Sequence, residues 1–73
     1  DFFELYPNPA TKKIFILGSN TSSGLLLFDA SGRLLWKKNI ISSQGIAEVD
    51  LPSLSPGIYI IQIGHTARRL IIR

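Results

Sequence analysis

The feature that most constrains the fold is the run from Gly57 to Ile63, which follows directly on Pro56. Isoleucine and tyrosine dominate this run, and such side chains suit a pleated, half-buried strand better than a helix. Because alternate residues point to opposite faces and both faces are largely apolar, we expect a central strand with apolar material on either side. One face carries Tyr59, Ile61 and Ile63, and the other carries Ile58, Ile60 and Gln62.

Composition is typical of a small folded domain. The 73 residues are 45% hydrophobic and only 18% charged, which excludes a disordered tail. The absence of cysteine excludes disulfides and thiolate metal sites. No apolar run approaches the roughly 20 residues that a membrane-spanning helix needs. Since the chain begins at Asp1 without a methionine or a signal-peptide pattern, we expect it to be a piece of a longer protein.

Further strands follow from the alternation of apolar and polar residues. We predict strands at 12–17, 25–30, 33–41, 46–51, 57–63 and 68–73, with residues 1–6 as a lead-in or short first strand and 7–73 as the body of a single domain. Turn residues separate these runs at intervals of roughly 8–12 residues, the spacing of a β-sandwich or small barrel. The sequence therefore predicts an all-β antiparallel sandwich of six to seven strands.

The strand faces predict a core and leave two questions open. The predicted core residues are Ile14, Ile16, Leu27, Val49, Leu51, Leu54, Tyr59, Ile61 and Ile63. The runs 25–28 and 58–61 are apolar on both faces, which fits either unusually central packing or a docking surface on one outer face. The last strand either closes the sheet or offers a free edge to a receptor.

Few residues are candidates for catalysis or for binding a metal ion or a phosphate group. The one histidine, His65, lies in a predicted hairpin turn, where we expect exposure to solvent. Asp29, Glu48 and Asp50 match no calcium loop, and we interpret Asp29 as a carboxylate that accepts backbone N–H groups in a turn. No glycine-rich phosphate loop leads from a strand into a helix. The sequence therefore indicates no enzyme, no metal site and no cofactor.

The net charge of +3 together with aromatic residues raises the hypothesis of nucleic-acid binding. We interpret Phe28 and Tyr59 as core residues and Lys37 and Lys38 as a solvated strand end, so no nucleic-acid partner is expected. Trp36 keeps open a carbohydrate-binding module, and a structural spacer of the fibronectin type is the other alternative.

Four motifs follow one another along the chain: YPNPAT at 6–11, LFDASGR at 27–33, LPSLSPGIY at 51–59, and a basic and apolar last strand at 68–73. Each motif alone is common. In this order and spacing they resemble the type A C-terminal sorting domain of the type IX secretion system of Bacteroidota, and the resemblance covers residues 6–73.

The resemblance implies an immunoglobulin-like sandwich of about seven strands. It implies a C-terminal secretion signal that directs an N-terminally fused cargo from the periplasm through an outer-membrane translocon to the cell surface or medium. A sortase-like protease often removes such domains. In the family, lysines are commoner where this chain has its terminal arginines, which leaves receptor preference open. The residues implied in sorting or partner recognition are Pro7, Asn8, Pro9, Asp29, Gly32, Gly57, Tyr59, Arg68, Arg69, Leu70, Ile71, Ile72 and Arg73.

Overall fold

The predicted all-β antiparallel architecture is confirmed. A computed structural model describes residues 3–18, 24–40 and 45–73, and within these ranges the chain forms strands and no helix. The strands are β1 (Phe3–Tyr6), β2 (Lys13–Gly18), β3 (Gly24–Asp29), β4 (Leu34–Asn39), β5 (Ile46–Asp50), β6 (Gly57–Ile63) and β7 (Thr66–Ile72). Most of the predicted polar loop at 18–24 and of the turn at 42–45 lies outside the described residues.

Two sheets make the sandwich. One has three strands in the order β1-β2-β5, and the other has four in the order β4-β3-β6-β7. Every pair of neighbouring strands is antiparallel. β3 and β4 are joined by a hairpin with a bulge, because Leu27 pairs with Trp36 while the next residue, Phe28, pairs with Leu34. β6 lies between β3 and β7, so its predicted central position is confirmed.

The core lies between the sheets and is filled by the inward side chains of both. Six predicted core residues are buried, and the other three, Leu51, Leu54 and Tyr59, are half-buried against them. The predicted core omitted several others, above all Leu70 from the last strand. The buried apolar residues are Phe3, Ala10, Ile14, Ile16, Leu25, Leu27, Ile40, Ala47, Val49, Ile61, Ile63, Leu70 and Ile72.

The expectation of apolar material on both faces of β6 is wrong. A sandwich of two sheets has one interior, so the second face of every strand points outward. Ile58 on β6 is 50% exposed, and Ile60 is only half-buried. Phe28, which we interpreted as core, is also half-buried and lies on this outer face, opposite Ile60.

Candidate functional site

The side-chain amide of Asn8 pairs with the backbone of the last strand. Its Nδ2 donates to the carbonyl oxygen of Arg69 at 2.9 Å, and its Oδ1 accepts from the N–H of Ile71 at 2.9 Å. A residue of a neighbouring strand would satisfy the same two backbone groups. Asn8 therefore substitutes for a strand residue at the outer edge of β7, across more than 60 residues of sequence.

Ala10 continues this pairing to the end of the chain. Its N–H donates to the carbonyl oxygen of Ile71 at 2.8 Å, and its own carbonyl oxygen accepts from the N–H of Arg73 at 2.9 Å. Ala10 forms a parallel bridge with Ile72 and is itself buried. The last strand thus closes the sheet, and from Arg69 to Arg73 its outer edge is covered. We call β7 together with residues 7–10 the β7 edge.

The prolines fix the segment that presents Asn8. Each proline ring holds its own φ near −65° and restricts the preceding residue, so Pro7 and Pro9 limit the conformations open to Asn8. Both peptide bonds that precede these prolines are cis. Beside Asn8 lies a shallow hollow of about 410 Å³, and its lining includes Tyr6, Arg68 and Arg69. The segment predicted as a rigid turn therefore contributes both a backbone contact and a concave surface.

Arg68 links the last strand to the first. Its Nε donates to the carbonyl oxygen of Phe3 at 3.0 Å, and its guanidinium carbon lies 6.0 Å from the centre of the Phe3 ring. Because β1 belongs to the three-stranded sheet and β7 to the four-stranded sheet, this contact joins the two layers. Arg68 is half-buried, so its first role is structural.

The terminal residues differ in accessibility. Leu70 and Ile72 point into the core and are buried, which removes them from contact with any partner of the folded domain. Arg69 and Arg73 are exposed, and Ile71 is half-buried on the outer side. Of the predicted terminal signal, these last three residues are the ones that the folded domain presents.

Asp29 is a turn-forming carboxylate, as predicted. Its Oδ1 accepts from the Ser31 hydroxyl at 2.6 Å, from the Ser31 N–H at 3.0 Å and from the Arg33 N–H at 2.9 Å. The hydrogen bond from the Ser31 hydroxyl and that from the Arg33 N–H hold the pKa of Asp29 below its usual value. Gly32 completes the turn with φ of 93°, a conformation that glycine adopts without strain.

Tyr59 anchors the loop that precedes the central strand. Its hydroxyl donates to the carbonyl oxygen of Ser55 at 2.6 Å. A tyrosine near the start of the sixth strand that bonds back to the upstream backbone resembles the tyrosine corner of immunoglobulin-like sandwiches. The fixed loop sets where the central strand begins, at Gly57, which pairs with Ile72 of β7.

The predicted motifs meet at one end of the four-stranded sheet. Asp29 lies opposite Tyr59 in the pairing of β3 with β6, and Tyr59 lies opposite Leu70 in the pairing of β6 with β7. Ala10 adds the segment that follows Pro9 at the edge of the same sheet. The structure therefore brings the segments of all four predicted motifs to one end of this sheet.

Within the described ranges, the remaining polar residues form no reactive cluster. Lys13 forms ion pairs with Glu48 and Asp50, and the hydrogen bond with Glu48 raises the pKa of Lys13. His65 is exposed in its turn, as predicted. No set of three or more histidine and carboxylate side chains is placed to hold a metal ion, and none of the described segments is a helix able to cross a membrane.

Trp36, on which the carbohydrate-binding alternative depends, packs against the core and is half-buried. The Nζ of Lys38 lies 6.0 Å from the centre of its ring. Beside Trp36, an apolar hollow of about 310 Å³ is lined by Leu35, Leu54 and Tyr59 among others. Tyr59 is engaged with Ser55, so this region offers a partial aromatic surface and no row of exposed rings.

Comparison with known proteins identifies the family. The model of the secretion system C-terminal sorting domain matches residues 4–73, which is nearly the whole chain. No curated protein and no solved structure matches the chain. The match includes the Pro-Asn-Pro segment, the Asp29 turn, the tyrosine corner and the last strand. The family predicted from the order of these motifs is thus confirmed, and it is a family of sorting signals, not of enzymes. The chain belongs to the C-terminal sorting domains of the type IX secretion system.

Proposed function

We propose that this chain directs an N-terminally fused cargo across the outer membrane through the type IX secretion system, and that the machinery recognises it as a folded shape. The family supports export to the cell surface or the medium. Passage of folded cargo through the periplasm, docking on an outer-membrane translocon and later removal by a sortase-like protease are the finer parts of this proposal.

The observation that carries the proposal is the pairing of Asn8 with Arg69 and Ile71. Two motifs that the resemblance assigns to sorting, at the two ends of the chain, form one continuous surface only when the domain is folded. A linear signal has no need of such pairing. A signal that is recognised as a folded shape needs this pairing, because the pairing fixes where the terminal side chains point.

Accessibility supports different roles for the proposed signal residues. Arg69 and Arg73 offer charge and hydrogen-bond donors to the receptor, and Ile71 offers an apolar contact. Leu70, Ile72 and Arg68 hold the strand in place. Asp29, Gly32, Gly57 and Tyr59 shape the end of the sheet on which the signal lies.

Deletion of the last four residues is a poor test of this proposal, because it removes two buried core side chains together with the exposed signal. Substitution of the exposed residues separates the two effects. The test is a fusion of residues 1–73, behind a secretory signal and a linker, to a reporter that folds in the periplasm. It is expressed in a Bacteroidota host with the secretion system intact or deleted.

We expect the reporter outside the cell only when the system is intact. The double variant Arg69→Gln with Arg73→Gln is expected to leave the reporter in the periplasm with an unchanged melting temperature. Lys12→Gln, at an exposed lysine outside the proposed signal, is the matched control and is expected to be exported. A reporter that stays in the periplasm of both strains overturns the proposal and directs attention to the carbohydrate-binding and spacer alternatives.

A further inference from the structure

The outward face of the four-stranded sheet carries a continuous apolar surface. Strand register places Leu34, Phe28 and Ile60 side by side across three strands, and Leu26 lies two residues from Phe28 on the same face. Ile58 and Ile71 are paired at the end of the face. Leu34 is 48% exposed and Ile58 is 50% exposed, so this surface is open to solvent. We call it the outer face.

Two cations flank the apolar centre. Lys37 pairs with Leu26 from the β4 side, and Arg69 pairs with Ile60 from the β7 side. Three strand spacings of roughly 4.8 Å place the two strands about 14 Å apart. Neither cation forms an ion pair with another described residue, and the paired positions of this face contain no carboxylate.

The outward face of the three-stranded sheet is different. The rings of Tyr6 and Phe15 stack on each other there, with centroids 5.5 Å apart. Lys13 is neutralised by Glu48 and Asp50 on the same sheet. The cation of that face is paired with carboxylates of its own sheet, whereas the outer face leaves both of its cations available for a partner.

We propose that the outer face is a docking surface for a protein whose contact area has an apolar centre and carboxylates on two sides. This inference rests on the proposed sorting function and adds a second contact area beside the β7 edge, with Arg69 and Ile71 common to both. Aliphatic and aromatic side chains supply the buried contact, and the separated cations set the orientation through charge complementarity.

Charge also argues against two other partners for the outer face, a second copy of this chain that uses the same face and an anionic membrane. A second copy of this chain that uses the same face brings only cations to the contact. An anionic membrane surface selects clusters of about 4–8 basic residues. The paired positions of the outer face carry two, at opposite sides of an apolar centre.

The reporter fusion provides the test. Ile60→Thr keeps a β-branched side chain in β6 but removes apolar contact, and Lys37→Glu reverses the charge that lies away from the β7 edge. We expect each to reduce the rate of export by about tenfold or more, the effect of an interface anchor or a desolvated charge pair. The melting temperature of each variant is measured to exclude loss of the fold.

Two matched variants serve as controls, one in β2 of the other sheet and one at the residue that precedes β2. Leu17 is 43% exposed on β2, so Leu17→Thr removes a comparable apolar side chain, and Lys12→Glu makes a comparable charge reversal. We expect both to be exported like the parent. Export of Ile60→Thr and Lys37→Glu at the parent rate overturns this inference, while system-dependent export of the parent keeps the sorting function intact.

Two measurements on the purified chain test whether a second copy of the chain or a lipid surface, instead of another protein, binds the outer face. Sedimentation equilibrium at concentrations up to about 1 mM is expected to show a monomer, and flotation with phosphatidylglycerol vesicles in 0.15 M salt is expected to show no binding. Dimerisation that Ile60→Thr abolishes identifies a second copy as the occupant and overturns the proposal. Vesicle binding that Lys37→Glu abolishes identifies a lipid surface and overturns it equally.

Discussion

The two edges of the four-stranded sheet, β7 and β4, are protected in different ways. The edge of β7 is covered, since Asn8 and Ala10 occupy its backbone groups from Arg69 to Arg73. Among the residues that the structure describes, no further strand pairs with β4 beyond β3, and β4 is mostly exposed. It carries lysines and a bulge, which are common ways to discourage edge-to-edge pairing.

The two edge strands also differ in how many buried contacts they make with the rest of the domain. β4 contributes one half-buried side chain, Trp36, to the core, whereas β7 contributes the fully buried Leu70 and the nearly buried Ile72. β7 is also bonded to β6 on one side and, on the other, to residues 3–10, which we call the entry segment. The strand that carries the proposed signal is therefore held from three directions, while the opposite edge strand is held mainly by its hairpin.

The largest expected difference between the edges is in core packing. Leu70→Ala is expected to reduce the free energy of unfolding by about 2–5 kcal/mol, because it leaves a cavity between the sheets. Leu34→Ala makes the same chemical change on β4, where the side chain is about half exposed, and we expect less than about 1 kcal/mol. Urea denaturation measures both, and equal losses would contradict the comparison.

Loss of the Asn8 side-chain amide, which covers the edge of β7, is expected to have the next largest effect on stability. Asn8→Ala leaves the N–H of Ile71 and the carbonyl of Arg69 without their protein partner, and we expect a loss of about 1–3 kcal/mol. Hydrogen exchange at the Ile71 amide should accelerate more than exchange in β3, because the edge opens locally.

Asn39→Ala on β4 is the matched control, and we expect a change within about 0.5 kcal/mol. Asn8→Asp retains the acceptor and loses the donor, so its stability should fall between the parent and Asn8→Ala. If Asn8→Ala and Asn39→Ala behave alike, the Asn8 amide does not hold the β7 edge.

The smallest effect concerns the hairpin that holds β4. Because hydrogen bonds lower the pKa of Asp29 in the folded state, its contribution to stability is fully present above the unfolded value of about 3.9. That contribution is lost as the pH falls through the folded-state pKa. Asp29→Asn should therefore lower stability at neutral pH, and the gap to the parent should close below about pH 4. Parallel pH profiles from urea denaturation would show that the turn carboxylate is not coupled to folding.

Much of the fold could be predicted from local pattern. Gly57–Ile63 is bounded by Pro56 on one side and a glycine turn on the other, and its observed limits agree with the predicted ones. The Asp29 turn was predictable because aspartate and glycine at those positions have a local backbone role. Strand ends were less certain, since β7 begins at Thr66, two residues before its predicted start.

Long-range contacts could not be predicted in the same way. Nothing in the neighbourhood of Asn8 shows that its amide meets a strand more than 60 residues away. Alternation also does not reveal what covers a face, which is why Phe28 was expected in the core and lies outside it. A face that is apolar by sequence is either interior or a contact surface, and the number of sheets decides which.

The entry segment and the last strand run in the same direction, because Arg68 contacts Phe3 near their starts and Ile72 meets Ala10 near their ends. Under the proposed function, cargo pulls on the start of the first segment while a receptor holds the end of the second. Such a pull acts along the strands, and the hydrogen bonds of Asn8 and Ala10 lie across it. These bonds then bear the load together in shear instead of parting one at a time. Under that proposal, we expect the load to be shared among several hydrogen bonds, so that no single bond sets the mechanical strength of the domain.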